Sequence, residues 1–179
     1  MRIAISGTHA SGKSTLISDF VAAHRDIEVM PDPFELIDES DDRPGPAMLL
    51  RQLRASADRL EQNDSPTFIA ERSPLDFLAY LLALDELGRG TASDEVIERA
   101  RELTASALRH IDLLAVLPLS SADRIWVGDD EDPDLREAMD AALLDLLDDP
   151  DLIPATTRVI EIAGDRATRL AALEAALAD

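Results

Sequence analysis

The sequence predicts an α/β protein in three layers, with a parallel sheet of about five strands covered by helices on both faces. Three observations carry that reading. Short apolar runs alternate with longer helix-periodic segments from one end of the chain to the other. A glycine-rich segment joins the first strand directly to the first helix. The run Leu113-Leu114-Ala115-Val116-Leu117 is apolar at every position, as expected of a parallel strand buried on both faces.

The elements follow in order. Arg2-Ile3-Ala4-Ile5-Ser6 is the first strand, and Ser14 to Ala23 reads as a helix with Leu16, Phe20 and Ala23 on one side. Ile27 to Met30 is a short second strand, stopped by Pro31-Asp32-Pro33. The acidic stretch from Glu35 to Pro46 reads as a short helix and then a loop. Ala47 to Gln62 is helical, with Leu49, Leu50, Leu53, Ala57 and Leu60 along one side. Thr67 to Glu71 is the third strand. Ser73-Pro74-Leu75-Asp76 then opens a helix with an N-cap serine, a first-turn proline and a capping-box carboxylate. That helix stops at Gly88-Arg89-Gly90, and another spans Ser93 to Arg109. After the fourth strand, Asp132-Pro133 starts a helix to about Leu147. Arg158 to Ile162 is the fifth strand, and Gly164-Asp165 leads into a terminal helix. No repeat or linker divides the chain, so residues 1–179 read as one domain.

Composition narrows the class. With 179 residues and 46% hydrophobic content the chain can bury a substantial core. It has no cysteine, which excludes disulfides and thiolate metal sites and points to the cytoplasm. No apolar run spans a bilayer, and Met1-Arg2 leads at once into a strand, leaving no room for a signal peptide. A net charge of -20 repels nucleic acids and anionic membranes, so neither is expected as a partner. The acidic clusters Asp129 to Asp132 and Asp148-Asp149 read as solvated loop edges.

The first loop carries the chemistry. Gly7-Thr8-His9-Ala10-Ser11-Gly12-Lys13-Ser14 matches the phosphate-binding P-loop pattern G-x-x-x-x-G-K-[ST], in its required strand–loop–helix context. The four fixed positions recur by chance in about one chain per hundred or two hundred of this length. Backbone N–H groups from about His9 to Ser14 are expected to converge on phosphate oxygens, helped by the helix N-terminus. Gly7 and Gly12 permit close backbone approach. Lys13 is suited to the β- and γ-phosphates of ATP, the Ser14 hydroxyl to Mg²⁺, and Thr15 to the α-phosphate region. His9 reads either as a phosphate or substrate contact or as a solvent-facing loop residue.

Lys13 is also the only lysine, against 16 arginines. An Asn-Lys-x-Asp guanine-reading motif therefore cannot exist here, which excludes the usual signalling GTPases. The chain is too short for ABC or AAA+ motors. What remains is mainly the kinases of small molecules. Their Mg²⁺-directed carboxylate ends a neighbouring buried strand. The fourth strand runs into Pro118, whereas the third ends in Glu71-Arg72-Ser73.

With that motif the chain resembles the deoxynucleoside and thymidylate kinase group. The longer stretch Glu71 to Tyr80, with the opening Gly-Thr-His-x-x-Gly-Lys, is also similar to small AAA-type ATP-binding proteins related to nicotinamide riboside kinases. The resemblance implies that Glu71 acts on Mg²⁺ and that Arg72 holds the substrate or the transferred phosphoryl group. It implies that Asp32 stands where these kinases carry the carboxylate base for the acceptor hydroxyl, with Glu35 in reserve. Asp-Pro is equally a common turn. It also implies a lid at about 119–134 with two or more arginines. Here the segment offers Arg124, with Arg136 twelve residues on. Trp126 reads as closing over a base or as anchoring the loop. Gly164 lies where this fold meets adenine, and is also an ordinary strand-to-helix turn.

The expectation is ATP- and Mg²⁺-dependent phosphoryl transfer to a hydroxyl of a small, nucleoside-like molecule. The carboxylates around the lid disfavour a second nucleotide phosphate. The alternatives are a nucleotide-binding ATPase or switch without a small acceptor, and a binding module without chemistry. The leucine-rich helices leave a homodimer open.

Overall fold

Strand alternation sends neighbouring side chains to opposite sides of the sheet, and this sequence supplies apolar residues for both. A computed structural model describes residues 1–35, 45–90, 92–120 and 132–178. It contains β1 (Arg2–Ser6), α1 (Lys13–Ala23), β2 (Glu28–Met30), a 3-10 turn (Pro33–Glu35), α2 (Pro46–Gln62), β3 (Phe68–Glu71), α3 (Pro74–Glu86), α4 (Asp94–Leu108), β4 (Leu113–Val116), α5 (Pro133–Leu147), β5 (Arg158–Glu161) and α6 (Arg166–Ala178). Ile3, Ile5, Leu113 and Ala115 pack with α1 and α6 on one side. Ala4, Phe68, Ala70, Leu114 and Val116 pack with α2 to α5 on the other.

All five strands are parallel, in the order β2-β3-β1-β4-β5. This is the three-layer α/β sheet that the sequence predicts. β1 is central, and the register pairs Ile5 with Glu71 of β3 and Ser6 with Val116 of β4. The loop leaving β1 therefore rises between the ends of β3 and β4. That is the crevice at the carboxyl end of an open sheet, where such folds bind ligands.

α3 is the helix on which the site leans, and its local signals explain its limits. The Ser73–Asp76 capping box forms as expected, with Pro74 in the first turn. Its end closes through the left-handed Gly88 (φ 62°), where Arg89 N–H bonds to Leu84 O and Gly88 N–H to Asp85 O. Nearly every residue from Pro74 to Leu84 is buried, because α2, α4 and α5 all pack around this helix. The observed elements differ from the expected ones at their ends, as where α1 starts at Lys13 and β5 stops at Glu161; the short helix expected between Glu35 and Pro46 lies almost wholly outside the described residues. Among the described residues no helix is long and apolar enough to cross a membrane.

Candidate active site

The loop from Gly7 to Gly12 is held from outside by cations. Gly7 O accepts from Arg72 (3.2 Å), Thr8 O from Lys13 Nζ (2.8 Å), His9 O from Arg136 Nε (3.2 Å), Ala10 O from a second Arg136 nitrogen (3.2 Å) and Ser11 O from Arg169 (2.5 Å). Five consecutive carbonyls are thus occupied by positive side chains. Among the described residues no acceptor takes the N–H groups of Ala10 to Ser14. Carbonyls gripped on one side, with donors left on the other, make an anion-binding nest at a helix N-terminus. Ala10 adopts a left-handed φ of 50° within it, and Gly12 a φ of 92°. Gly7 cannot be larger, since a Cβ there would lie 2.8 Å from Leu117 O and 2.9 Å from Ser11 Oγ.

His9 departs from the expected donor set. Its N–H donates to the Tyr80 hydroxyl (2.9 Å), so the convergent donors begin at Ala10 rather than His9. The same hydroxyl lies 2.8 Å from His9 Nδ1, and the two rings stack. His9 is therefore neither a simple solvent-facing residue nor a phosphate donor through its backbone.

Lys13 is 4% exposed. Burial, and then the neighbouring Arg72 guanidinium, push its ammonium down to about 7, against the pull of Asp76, Glu71 and Asp32. The site thus keeps a cation under a desolvation penalty, which a polyanion would relieve.

Ser14 and Glu71, the two residues expected at Mg²⁺, lie side by side, the Ser14 hydroxyl donating to Glu71 Oε1 at 2.7 Å. Two hard oxygen donors beside a phosphate nest suit Mg²⁺, which binds through one or two carboxylates and substrate phosphates and keeps several waters. The buried Ser11 Oγ, which has no hydrogen-bond partner among the described residues, adds an unused polar atom to the same nest. The residues present therefore fit a magnesium nucleotide. Thr15 is exposed on the first turn of α1, and Gly164 lies at the β5–α6 turn with its carbonyl on Arg169 (2.8 Å).

Arg72 and Asp32 are brought together. Arg72 Nε donates to Asp32 Oδ2 at 2.7 Å, while Asp32 Oδ1 accepts the Phe34 N–H at 3.0 Å. Arg72 is 6% exposed and has a left-handed φ of 66°, a backbone cost of the kind that gathers at functional sites. Its guanidinium sits against the Phe34 and Tyr80 rings, 5.5 and 5.6 Å from their centroids. Burial lowers its pKa, but Tyr80, Asp32 and Asp76 raise it further, so the group stays charged. Arg124 and Trp126 lie outside the described residues, as does most of the expected lid.

Sequence reasoning missed Asp76 and Tyr80 as site residues. Asp76 is fully buried. Beyond capping α3 it accepts Gly7 N–H (2.8 Å) and Ser6 Oγ–H (2.6 Å), tying the start of the phosphate loop to the start of α3. The available signal was helical spacing: Asp76 and Tyr80 lie four positions apart on α3 and so share one face. Arg169 carried no local signal at all.

A family described as an AAA domain matches residues 2–169. No curated protein matches the chain in sequence. Among solved structures, deoxyadenosine kinase from M. mycoides with bound dATP is similar over 100% of both chains, at a TM-score of 0.69 and 16% identity. The same enzyme with products dCMP and a flexible dCDP bound is similar over 99% of both chains, at a TM-score of 0.67 and 16% identity. Thymidylate kinase from Candida albicans is similar over 98% of this chain and 90% of that one, at a TM-score of 0.67 and 18% identity. At these identities the likeness is one of fold. The cation-gripped nest between β1 and α1 and the match over nearly all of its length make this chain a member of that AAA-domain family, with a P-loop kinase-like fold.

Proposed function

We propose that this protein is a P-loop kinase that transfers the γ-phosphoryl group of ATP to a hydroxyl of a small, uncharged, nucleoside-like acceptor. The observation that carries the reading is the convergence of Lys13, the Ser14–Glu71 pair and the Asp32–Arg72 pair at the ends of β1, β2 and β3. The nest from Ala10 to Ser14 would hold the phosphates, and Lys13 would regain its full charge against them. Ser14 and Glu71 would hold Mg²⁺, which would supply neutralisation of the phosphate charge. Asp32 would orient the acceptor hydroxyl and accept its proton, with Arg72 fixing its position. Arg124 would cover the transferred group from the 119–134 lid, and Gly164 would border the adenine. The solved structures of similar fold include one with bound dATP, which supports a nucleotide in this crevice.

The test is transfer of label from γ-labelled ATP to a panel of nucleosides, nicotinamide riboside and sugars. Lys13→Met should abolish transfer while shifting the thermal midpoint by only a few degrees. An apolar side chain of similar length relieves a buried charge but leaves Thr8 O unpaired, and the two effects largely offset. Undiminished transfer in that variant would sink the reading. A second reading, a nucleotide-driven ATPase or switch, draws on Asp32, whose two oxygens are already engaged by Arg72 and Phe34. Hydrolysis unaffected by every acceptor in the panel would favour it.

A further inference from the structure

Two arginines far from the phosphate loop in sequence grip three of its carbonyls, and neither belongs to the P-loop pattern. Arg136, in the first turn of α5, forks across His9 O and Ala10 O, both at 3.2 Å. Asp140, one turn further along α5, accepts the Leu119 N–H at 3.0 Å and sits close enough to Arg136 for their charges to interact. Arg169, on α6, is 5% exposed. It bridges Ser11 O (2.5 Å) and Gly164 O (2.8 Å), joining the phosphate loop to the β5–α6 turn.

The consequence follows from the planarity of the peptide unit. Holding a carbonyl outward turns the N–H on the far side of the same peptide inward. Those of His9, Ala10 and Ser11 aim the N–H groups of Ala10, Ser11 and Gly12. Free of these holds, the loop would have to pay for ordering itself when a ligand arrives, and preorganisation removes that cost. The two arginines also add positive charge around the nest in a chain whose net charge is -20.

We propose that Arg136 and Arg169 are positioning residues of the nucleotide site, which preorganise the phosphate loop without touching the nucleotide. Arg169 additionally sets the distance between the phosphate end and the β5–α6 turn. The inference rests on the reading of the loop as a nucleotide site.

The experiment measures affinity for ATP and for inorganic tripolyphosphate in the unaltered protein and in Arg136→Gln, Arg169→Gln and Arg166→Gln. Arg166 is the control: it lies on α6 three residues before Arg169, but pairs with Asp19 at the surface. Both ligands should bind at least ten-fold more weakly to Arg136→Gln, in equal proportion. Arg169→Gln should weaken ATP more than tripolyphosphate, because only ATP spans both loops. Arg166→Gln should bind like the parent. Arg136→Lys and Arg169→Lys, which keep the charge and one carbonyl contact each, should recover part of the affinity and serve if the glutamine variants do not fold. Folded Gln variants that bind both ligands as tightly as the parent, or Lys variants that do so where the Gln variants fail to fold, overturn this inference alone. A parent protein that binds neither ligand overturns the nucleotide reading, and this inference with it.

Discussion

At the scale of single residues the site is an exercise in buried charge. Lys13, Arg72 and Asp76 are all nearly or fully removed from water, a state that side chains of these types reach only when paired. Asp76 holds the most donors: Ser6 Oγ, Gly7 N, and the Ser73 amide and hydroxyl. Asp76→Ala strands those donors together and removes half of the capping box. It should cost about 3 kcal/mol or more, read as a lowered urea midpoint at unchanged slope. Glu71 predicts the opposite pattern. It is half-buried and, among the described residues, its side chain is hydrogen-bonded only to Ser14, so Glu71→Gln should leave the fold intact. Transfer from MgATP should fall by about 10²–10³-fold, the usual size for losing one charge-stabilising group. Equal turnover by Glu71→Gln would remove Glu71 from the reaction.

At the scale of elements, the ends of the strands decide what meets. β1 is joined to β4 by more than its ladder: Asp112, just before β4, accepts the Arg2 N–H at 2.7 Å and the Arg2 guanidinium at 3.0 Å. Burial works to raise the Asp112 pKa, but these bonds outweigh it and hold the carboxyl below its ordinary value. A depressed carboxylate contributes stability that is present above the unfolded value of about 3.9 and is lost as pH falls through the folded one. Asp112→Asn should therefore be less stable than the parent at neutral pH. The gap should close below about pH 4, as seen in urea midpoints across that range. A gap of constant size would place the effect of Asp112 in packing rather than charge. The elements themselves were largely legible. Short apolar runs and period-3.6 patterns located the five strands and the six described helices to within a residue or two, and Ser73-Pro74-Leu75-Asp76 marked the start of α3. These are short-range signals, and they survive because the tertiary structure agrees with them.

At the scale of the whole molecule the net charge of -20 dominates. Exposed pairs such as Arg99–Glu102 and Arg166–Asp19 offset little of the long-range repulsion among 37 carboxylates. Raising ionic strength from about 0.01 to 1 M shortens the screening length from about 30 to 3 Å. The thermal midpoint should rise over that range, in sodium chloride as in potassium chloride. A midpoint that falls would mean that local ion pairs outweigh the global repulsion.

The amino-acid sequence by itself determined the layered α/β fold and the glycine-rich loop between β1 and α1, and it singled out Ser14, Glu71, Asp32 and Arg72 as candidates. Each of these is written in residues close together or in the pattern of a strand end. Only the tertiary structure decided how the loop is held. Its carbonyls are gripped by side chains 5, 65, 126, 127 and 158 residues away. It also turned Asp76 from a helix cap into an anchor, and gave the His9 N–H to Tyr80 instead of to a phosphate. The reason is physical. A motif encodes the backbone that can approach an anion, but the partners that hold that backbone open are chosen by which helices the sheet order brings alongside it.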